Sequence, residues 1–327
     1  MCLLQVVQED MMVDFKEEFI GYNFIWFFGV VEDRNDPLKM GRVRVRCFNW
    51  HSENKLKVPT EALPWAQCMQ PITSAAISGV GRSATGLVEG SWVIGFFLDG
   101  EDAQKPMIMG SMAGIPTELA NVDFGFSDPN GIYPTLIDEP DTDRLARNDT
   151  DFVPPLLATK ESSRTSSVST ATGGTWNEEA SKYNASYPKN HVMKTESGHV
   201  FEVDDTTGHE RIHEYHKSGT FREISATGNT VTRIVGDNYE IIAGSDYVNI
   251  KGSSNITIDS NCTTYVKGNW DVQVDGKFTL NAKGESKIDL QGSGSTIISD
   301  TIGLTTHTHT DPAGVSGAES STGNDSQ

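Results

Sequence analysis

Cysteine is scarce in this chain and shows no paired spacing. The 327 residues include four cysteines, with no CxxC pair among them: Cys2, Cys47, Cys68 and Cys262. Paired spacings mark zinc sites and the disulfide frameworks of small secreted domains. We therefore expect buried or free thiols, which suits a protein assembled in a reducing cytoplasm.

Long apolar runs and a basic leader are missing as well. The apolar run at residues 24–31 is too short to cross a bilayer as a helix. Residues 1–23 carry five acids and one lysine, where a secretory signal would need a cationic start. We expect residues 1–23 to form a flexible extension.

Signatures of nucleotide binding and covalent catalysis do not occur in the sequence. There is no P-loop, no dinucleotide fingerprint on a strand–helix unit and no nucleophile elbow. The net charge is −19, and residues 191–327 hold 19 acids against 10 bases. An acidic C-terminal half repels phosphate, so nucleic acid is not an expected partner.

Residues 24–115 have the pattern of short strands separated by turns. An apolar strand from residue 24 stops at the turn signals Asp36, Pro37 and Gly41, and the RVRVRCF run follows with strict alternation. Val43, Val45 and Cys47 share one face of that run, while the other carries Arg42, Arg44 and Arg46. Further strands are predicted at residues 65–70, 91–98 and 106–110. About five strands in this length predict a small barrel.

Residues 116–190 change in composition. Asp, Pro, Ser and Thr dominate, and no helical or strand period can be followed. This composition predicts a linker.

An eight-residue repeat follows the linker. One register holds glycine at eight of nine positions, with Ser260 as the exception: Gly228, Gly236, Gly244, Gly252, Gly268, Gly276, Gly284 and Gly292. Two residues before most of them stands an apolar residue: Ile234, Ile242, Ile250, Ile258, Val266, Val274, Ala282 and Leu290. We call this second set the stripe. A short strand that ends at a bend needs a residue tolerant of unusual φ, which favours glycine.

One apolar residue in eight cannot give a single chain a core. Three chains wound around a common axis can cover the stripe, and each strand edge then finds a neighbour. The repeat therefore predicts an intertwined triple-stranded β-helix over residues 191–303, in a homotrimer. The alternative is a single-chain solenoid, whose eight-residue coil is too short to enclose a core.

The sequence resembles a known family at both ends. The stretches FFGVVEDRNDPLKMGRVRV and LPWAQCMQPITSAAISGVGRSATGLVEGSWVIGFFLDG are similar to the N-terminal OB-fold domain of the central spike proteins of T4-like contractile-tail phages. GFSDPNGIYP resembles the stretch after that domain. SGHVFEVDDTTGHERI resembles the start of the β-helix in the same family and in type VI secretion spikes.

The resemblance implies an all-β protein of the virion tail baseplate. It implies that an OB-fold barrel attaches the homotrimer to a trimeric baseplate hub, and that the β-helix punctures the host outer envelope when the sheath contracts. A separate tip-capping protein is a further partner that the family allows. A type VI-like secretion spike and a receptor-binding fibre are alternatives, although residues 304–327, the expected apex and tail, hold no aromatic residue for glycan recognition.

One departure from the family concerns catalysis. The best-known member carries a lysozyme domain between barrel and β-helix, whereas here about 60 residues of linker composition separate Tyr133 from His191. The adjacent acids Glu178 and Glu179 lie beside Ser/Thr-rich sequence and do not suggest the rigid carboxylate pair of a glycosidase. We expect no enzyme activity; a spike with cell-wall hydrolase activity is the alternative.

His307 and His309 form the one constellation with metal character. Residues i and i+2 of a strand face the same way, and three copies would supply six imidazole nitrogens, an octahedral set. LTTHTHTDPAG resembles the iron-binding tip of other phage spikes, which implies an Fe ion at the trimer apex. The strict octad register would instead point residues 306 and 308 inward, so a register shift, at Gly303 for example, is required. Two exposed histidines in a polar tail are the alternative.

Two other sets of polar residues leave alternatives open. His209, His213 and His216 could suggest a second metal site, but we expect a surface role for them. Arg42, Arg44 and Arg46 form either a face that is solvated or paired with neighbours, or a docking face for an acidic hub.

Overall fold

A computed structural model describes residues 24–112 and 164–285, together with 287, 289, 291–292, 310–311 and 314–315. The chain divides into two compact units, Met1–Asp259 and Ser260–Gln327, and each is described by itself.

Five strands near the N-terminus close into a barrel. They are β1 (Ile25–Asp33), β2 (Val43–Cys47), β3 (Trp65–Cys68), β4 (Trp92–Phe97) and β5 (Pro106–Met112). The strand order around the barrel is β1-β2-β3-β5-β4, with β3 and β5 parallel and the other pairs antiparallel. The small barrel predicted from the alternating pattern is confirmed.

The barrel core contains the inward side chains of these strands. Val43, Val45 and Cys47 are buried on one face of β2, as the alternation predicts. They pack in one cluster with Phe27, Val31, Val93, Phe97 and Ile108. Free energy for this packing comes from apolar area removed from water, at about 25 cal/mol per Å².

A five-stranded antiparallel sheet follows in the same unit. Its strands are β8 (Asn190–Lys194), β9 (Val200–Asp204), β10 (Arg211–Tyr215), β11 (Phe221–Ser225) and β12 (Thr230–Arg233), joined in sequence order. Glycines with positive φ lie in the turns between them, for example Gly219 at +93°. These residues therefore pair within one chain, ahead of the regular octads.

A short hairpin and two buried residues lie just ahead of the sheet. A short hairpin pairs β6 (Val168–Ser169) with β7 (Thr175–Trp176), and both strands fall in the range whose composition predicts a linker. Glu178 and Ala185 are buried after this hairpin. Contacts with the sheet, rather than local periodicity, position this stretch.

Beyond Arg233 the described residues contain no further strand until β13 (Thr310–Asp311), which pairs antiparallel with β14 (Gly314–Val315). Within the described ranges, the structure holds no helix of the length and apolarity that spanning a membrane would require.

Candidate functional site

The repeat segment bends once in every eight residues. Bends fall at residue pairs 235–236, 243–244, 251–252, 259–260, 267–268, 275–276 and 283–284. The second residue of each pair is the glycine of the octad register, or Ser260. The eight-residue spacing read from the sequence therefore corresponds to a repeating backbone geometry.

The prediction that the octad glycines adopt unusual φ angles was wrong for the glycines from Gly236 to Gly284. Gly228 has φ +78°, but the glycines from Gly236 to Gly284 lie outside the left-handed region. A Cβ added to Gly268 would meet no atom of its own chain within 4 Å. Backbone strain and crowding within the chain therefore do not require glycine at these bends.

Stripe residues are the best covered apolar side chains of the repeat segment. In the first unit Ile234, Ile242, Ile250 and Ile258 are 43–56% exposed, and in the second Val266 and Val274 are 44–47% exposed. Off the stripe, Ile241 is 90% and Tyr247 is 92% exposed. The stripe nevertheless leaves about half of each side chain in water within one chain.

The backbone of this segment forms no strand pairing within the described residues, although the Val235 N–H donates to Thr220 Oγ1 at 3.1 Å. Among the described residues, no backbone–backbone hydrogen bond involves residues 234–285. Extended chain with open N–H and C=O groups on both edges is a template for pairing with other strands. Stripe and open edges together make the segment a candidate assembly surface.

The outer face of the sheet also exposes apolar side chains. Phe201 and Ile212 are 42% and 45% exposed, and Val203 and Ile224 lie opposite Ile212 on the neighbouring strands. Exposed apolar patches of this kind mark interaction surfaces.

The inner face of the same sheet is buried and combines an apolar cluster of Val200, Tyr215 and Phe221 with charged side chains. Arg211 donates from Nη2 to Glu202 Oε2 at 2.6 Å and from Nη1 to Glu223 Oε2 at 2.8 Å. Asn190 donates to Glu202, and Ser181 to Glu223, at 2.8 and 2.7 Å. Arg211, Glu202 and Glu223 are each at most 4% exposed. One arginine thus holds two buried carboxylates, a network we call the ionic cluster.

His213 lies against the ionic cluster and is fully buried, so the surface role expected for it was wrong. Its Nδ1 is 3.6 Å from Glu202 Oε2, and its ring packs edge-on against Phe221, with centroids 5.3 Å apart. Neither ring nitrogen has a hydrogen-bond partner in the part of the chain that the structure describes. Burial lowers the pKa of His213 below its ordinary 6.5, and Arg211 lowers it further, while Glu202 and Glu223 only partly oppose the change.

This lowered pKa predicts loss of stability in mild acid. The unfolded chain takes up a proton at His213 as pH falls below about 6.5, whereas the folded chain does so only at lower pH. The free energy of unfolding should therefore be highest above about pH 6.5. It should decrease as the pH is lowered from the pKa of His213 in the unfolded chain to its lower pKa in the folded chain. Urea unfolding measured across this pH range tests the prediction. His213→Gln should flatten the dependence, while His216→Gln, a change at an exposed position, should preserve it.

A second metal site formed by the three early histidines finds no support in the structure. His213 is buried in β10, whereas His216 follows the end of that strand, is exposed and forms a hydrogen bond with the Ser218 hydroxyl. No group of three or more His, Cys, Asp or Glu side chains suited to a metal occurs within the described ranges. His307 and His309, the predicted apical ligands, lie outside the described residues.

The three arginines in and just before β2 are engaged within the chain. Arg42 pairs with Asp36 at 2.7 Å, Arg44 lies over the ring of Trp65 at 4.5 Å, and Arg46 pairs with Glu32 at 2.7 Å. Arg46 is only 1% exposed. Of the two alternatives, pairing with neighbours is therefore the one observed.

Glu178 and Glu179 have separate structural contacts. Glu178 pairs with Arg233 and accepts the Thr165 N–H at 2.8 Å, whereas Glu179 accepts from Asn229 at 2.6 Å. The carboxylates fasten residues 164–190 to the sheet.

Three cysteines fall in the described residues, and all are free thiols, as expected. Burial raises the pKa of Cys47 to about 12 and that of Cys68 to about 11, so both stay protonated and unreactive.

Sequence reasoning missed the ionic cluster. The sequences of β9 (VFEVD) and β10 (RIHEY) do not alternate strictly, so local pattern does not show which face is buried. The structure places Glu202, Arg211 and His213 inside, because residues 178–185 cover that face. The opposite charges of Glu202 and Arg211, nine residues apart, were the available signal.

Comparison with known proteins relates the chain to phage tails. Residues 49–190 match the family described as the Gp5 N-terminal OB domain. The chain is 42% identical to Protein Gp5 of Vibrio phage KVP40 over 257 residues, which are 68% of this chain and 61% of that protein. It is 51% identical to the pre-baseplate central spike protein Gp5 of Enterobacteria phage T4 over 122 residues, 36% of this chain and 21% of that protein. The chain thus spans about three fifths of the first relative's length and about a fifth of the second's.

Proposed function

Since this chain is a homologue of the Gp5 central spike proteins of T4-like phages, we propose that it forms the homotrimeric central spike of a contractile tail. The chain is a component of the virion tail baseplate. Its role there is mechanical: the spike punctures the host outer envelope when the sheath contracts.

The observation that carries this proposal is the unpaired, regularly bent repeat segment. Among the described residues its backbone forms no backbone–backbone hydrogen bond, and each stripe side chain whose exposure is given above leaves about half of its surface exposed to water. Three copies around an axis would pair every edge and cover every stripe residue, giving a narrow triple-stranded β-helix. A prism with its backbone fully hydrogen-bonded resists bending, which is what a piercing device needs.

In this proposal the barrel attaches the spike to the baseplate hub. Its strands are paired all the way round, so it has no open sheet edge, and it precedes the repeat in the chain. Three barrels in a homotrimer match the symmetry of a trimeric baseplate hub. A tip-capping protein would bind at the opposite end.

We propose no catalytic role. The acids once considered, Glu178 and Glu179, are occupied in fastening the sheet, and one relative's name describes a spike. A cell-wall hydrolase or a secretion spike remains an alternative without a specific observation in its favour.

The oligomeric state is the direct test of the spike. Mass photometry of the purified chain should give three times the 35.7 kDa of one chain. One apolar residue in eight is too little core for a monomer, so a folded repeat segment at monomer mass would contradict the proposal. Phage particles made with a chain lacking residues 234–292 should assemble tails without a spike and fail to infect.

An apical metal is a further part of the proposed spike. His307 and His309 from three chains would give six nitrogens, a set that suits iron, and the metal would pin three chain ends together. Elemental analysis of protein purified without chelator should find about one metal ion per trimer. His307→Ala with His309→Ala should remove the metal and leave the trimer mass unchanged. Metal content that survives this double substitution would refute the site.

A further inference from the structure

Three neighbouring strands of the barrel, β1, β4 and β5, carry a group of outward aromatic and aliphatic side chains, and Phe24 joins them from just before β1. The charged residue Glu32 of β1 lies outside this group, where it pairs with Arg46. Phe96 is the best covered member of the group, at 6% exposed. We call this set the aromatic face: Phe24, Trp26, Phe28, Trp92, Ile94, Phe96 and Met107. Cross-strand pairing places Trp26 opposite Phe96, Phe28 opposite Ile94 and Phe96 opposite Met107.

The aromatic face is distinct from the barrel core. The core takes the alternate residues of the same strands, such as Phe27 and Val93. Phe24, Trp26 and Phe28 are 42%, 49% and 41% exposed, although Phe24 packs on Trp26 and on Phe96 with centroids 4.8 Å apart in each case. Since such side chains can each bury 150–250 Å², these three alone leave roughly 250–300 Å² of apolar surface uncovered. An apolar patch of a few hundred Å² is of the size that often marks an interaction site.

We propose that residues 1–23 of the same chain cover the aromatic face. The first reason is continuity. These residues lead directly into Phe24, whose ring already lies in the face. A tethered segment that starts on its own binding surface needs no linker to reach it, and its effective concentration there is high.

The composition of the segment is the second reason. Of its 23 residues 13 are apolar by the measure that gives 36% for the whole chain: Met1, Cys2, Leu3, Leu4, Val6, Val7, Met11, Met12, Val13, Phe15, Phe19, Ile20 and Tyr22. A solvated extension would be poor in such residues. The composition fits a segment that buries side chains on an apolar surface.

Length and charge are compatible with this cover. At about 3.3 Å per residue the segment can extend roughly 75 Å, whereas three strands span about 10 Å in width. Five acids and one lysine give the segment a charge of −4. The aromatic face carries no charge to repel these acids, and the apolar residues between them can contact the rings while the carboxylates stay in water.

Limited trypsin digestion, combined with a substitution in the aromatic face, tests the contribution of the barrel to the proposed contact. Lys16 is the only lysine or arginine among residues 1–23, so it is their only cleavage site. In the wild-type chain, cleavage after Lys16 should be much slower than in a free peptide of the same sequence. Phe28→Ser should accelerate it by roughly tenfold, as expected when one aromatic anchor is lost. Leu56→Ser, at a 95% exposed position outside the face, should not change the rate.

A second pair of variants tests the segment itself. Leu4→Asp with Val7→Asp should increase binding of an apolar dye to the folded protein severalfold, because the face is uncovered. Gln5→Asp with Gln8→Asp adds the same charge at polar positions and should leave dye binding unchanged. Near-UV circular dichroism confirms that the barrel stays folded in each variant.

Three results would overturn the proposal. One is wild-type cleavage at Lys16 as fast as in the peptide. Another is protection of Lys16 from trypsin that disappears when the protein is diluted, which would show that a second copy of the chain covers the aromatic face. The third is equal dye binding by both double variants.

Discussion

Aspartate at two stripe positions, Ile242→Asp with Ile250→Asp, should abolish trimer assembly. The two side chains are 48% and 56% exposed in one chain, and the proposed trimer would bring three copies of each to its axis. An unpaired polar group buried there costs about 2–7 kcal/mol, and like charges around the axis add to this. Six such groups cost about 12–42 kcal/mol together, which reaches or exceeds the roughly 5–15 kcal/mol that stabilises a typical domain.

The matched control uses positions in the same octads. Ile241→Asp with Val248→Asp introduces the same charge where the side chains are 90% and 75% exposed. Sedimentation should show trimers for this control and monomers for the stripe variant. Equal behaviour of the two variants would show that the stripe is not the axial face.

Arg211→Ala should be the most destabilising single substitution in the sheet. It would leave Glu202 and Glu223 buried without the guanidinium that both now contact, at a cost of about 3–5 kcal/mol. Urea unfolding followed by circular dichroism measures the effect. Arg222→Ala, on the exposed face of the adjacent strand, should change the free energy of unfolding by no more than about 0.5 kcal/mol.

A compensated variant separates lost charge pairing from lost packing. Arg211→Met with Glu202→Gln and Glu223→Gln removes all three charges and keeps similar volumes. Much of the stability should return, because the main cost of Arg211→Ala is the uncompensated charge. A triple variant as unstable as Arg211→Ala would show instead that packing of Arg211 on Tyr183, 4.4 Å from its ring centre, dominates.

The alternation in β2 illustrates how far local pattern reaches. Val43, Val45 and Cys47 were placed on one face, and they are buried together. The same pattern put Arg46 on the opposite face but could not show that this residue is 1% exposed, because its partner Glu32 lies on β1. The two-residue alternation of a strand shows which residues share a face, but it does not show which other segment covers that face.

The sheet shows the same limit more strongly. Phe201 and Ile212 lie next to Glu202, Arg211 and His213, but β9 and β10 do not alternate strictly, so local pattern does not show which set faces inward. The charged set is inside because residues 178–185, from a segment of linker composition, pack over it and supply Ser181 to the ionic cluster. No local period connects residues so far apart in the chain.

The sequence by itself determined the all-β class, the small barrel, the eight-residue repeat and the relation to contractile-tail spikes, since each depends on local spacing or on long matching stretches. Only the tertiary structure decided that Arg42, Arg44 and Arg46 are engaged within the chain and that His213 is buried beside an ionic cluster. Those facts depend on contacts between distant segments, because burial and charge pairing are set by whichever element covers a face.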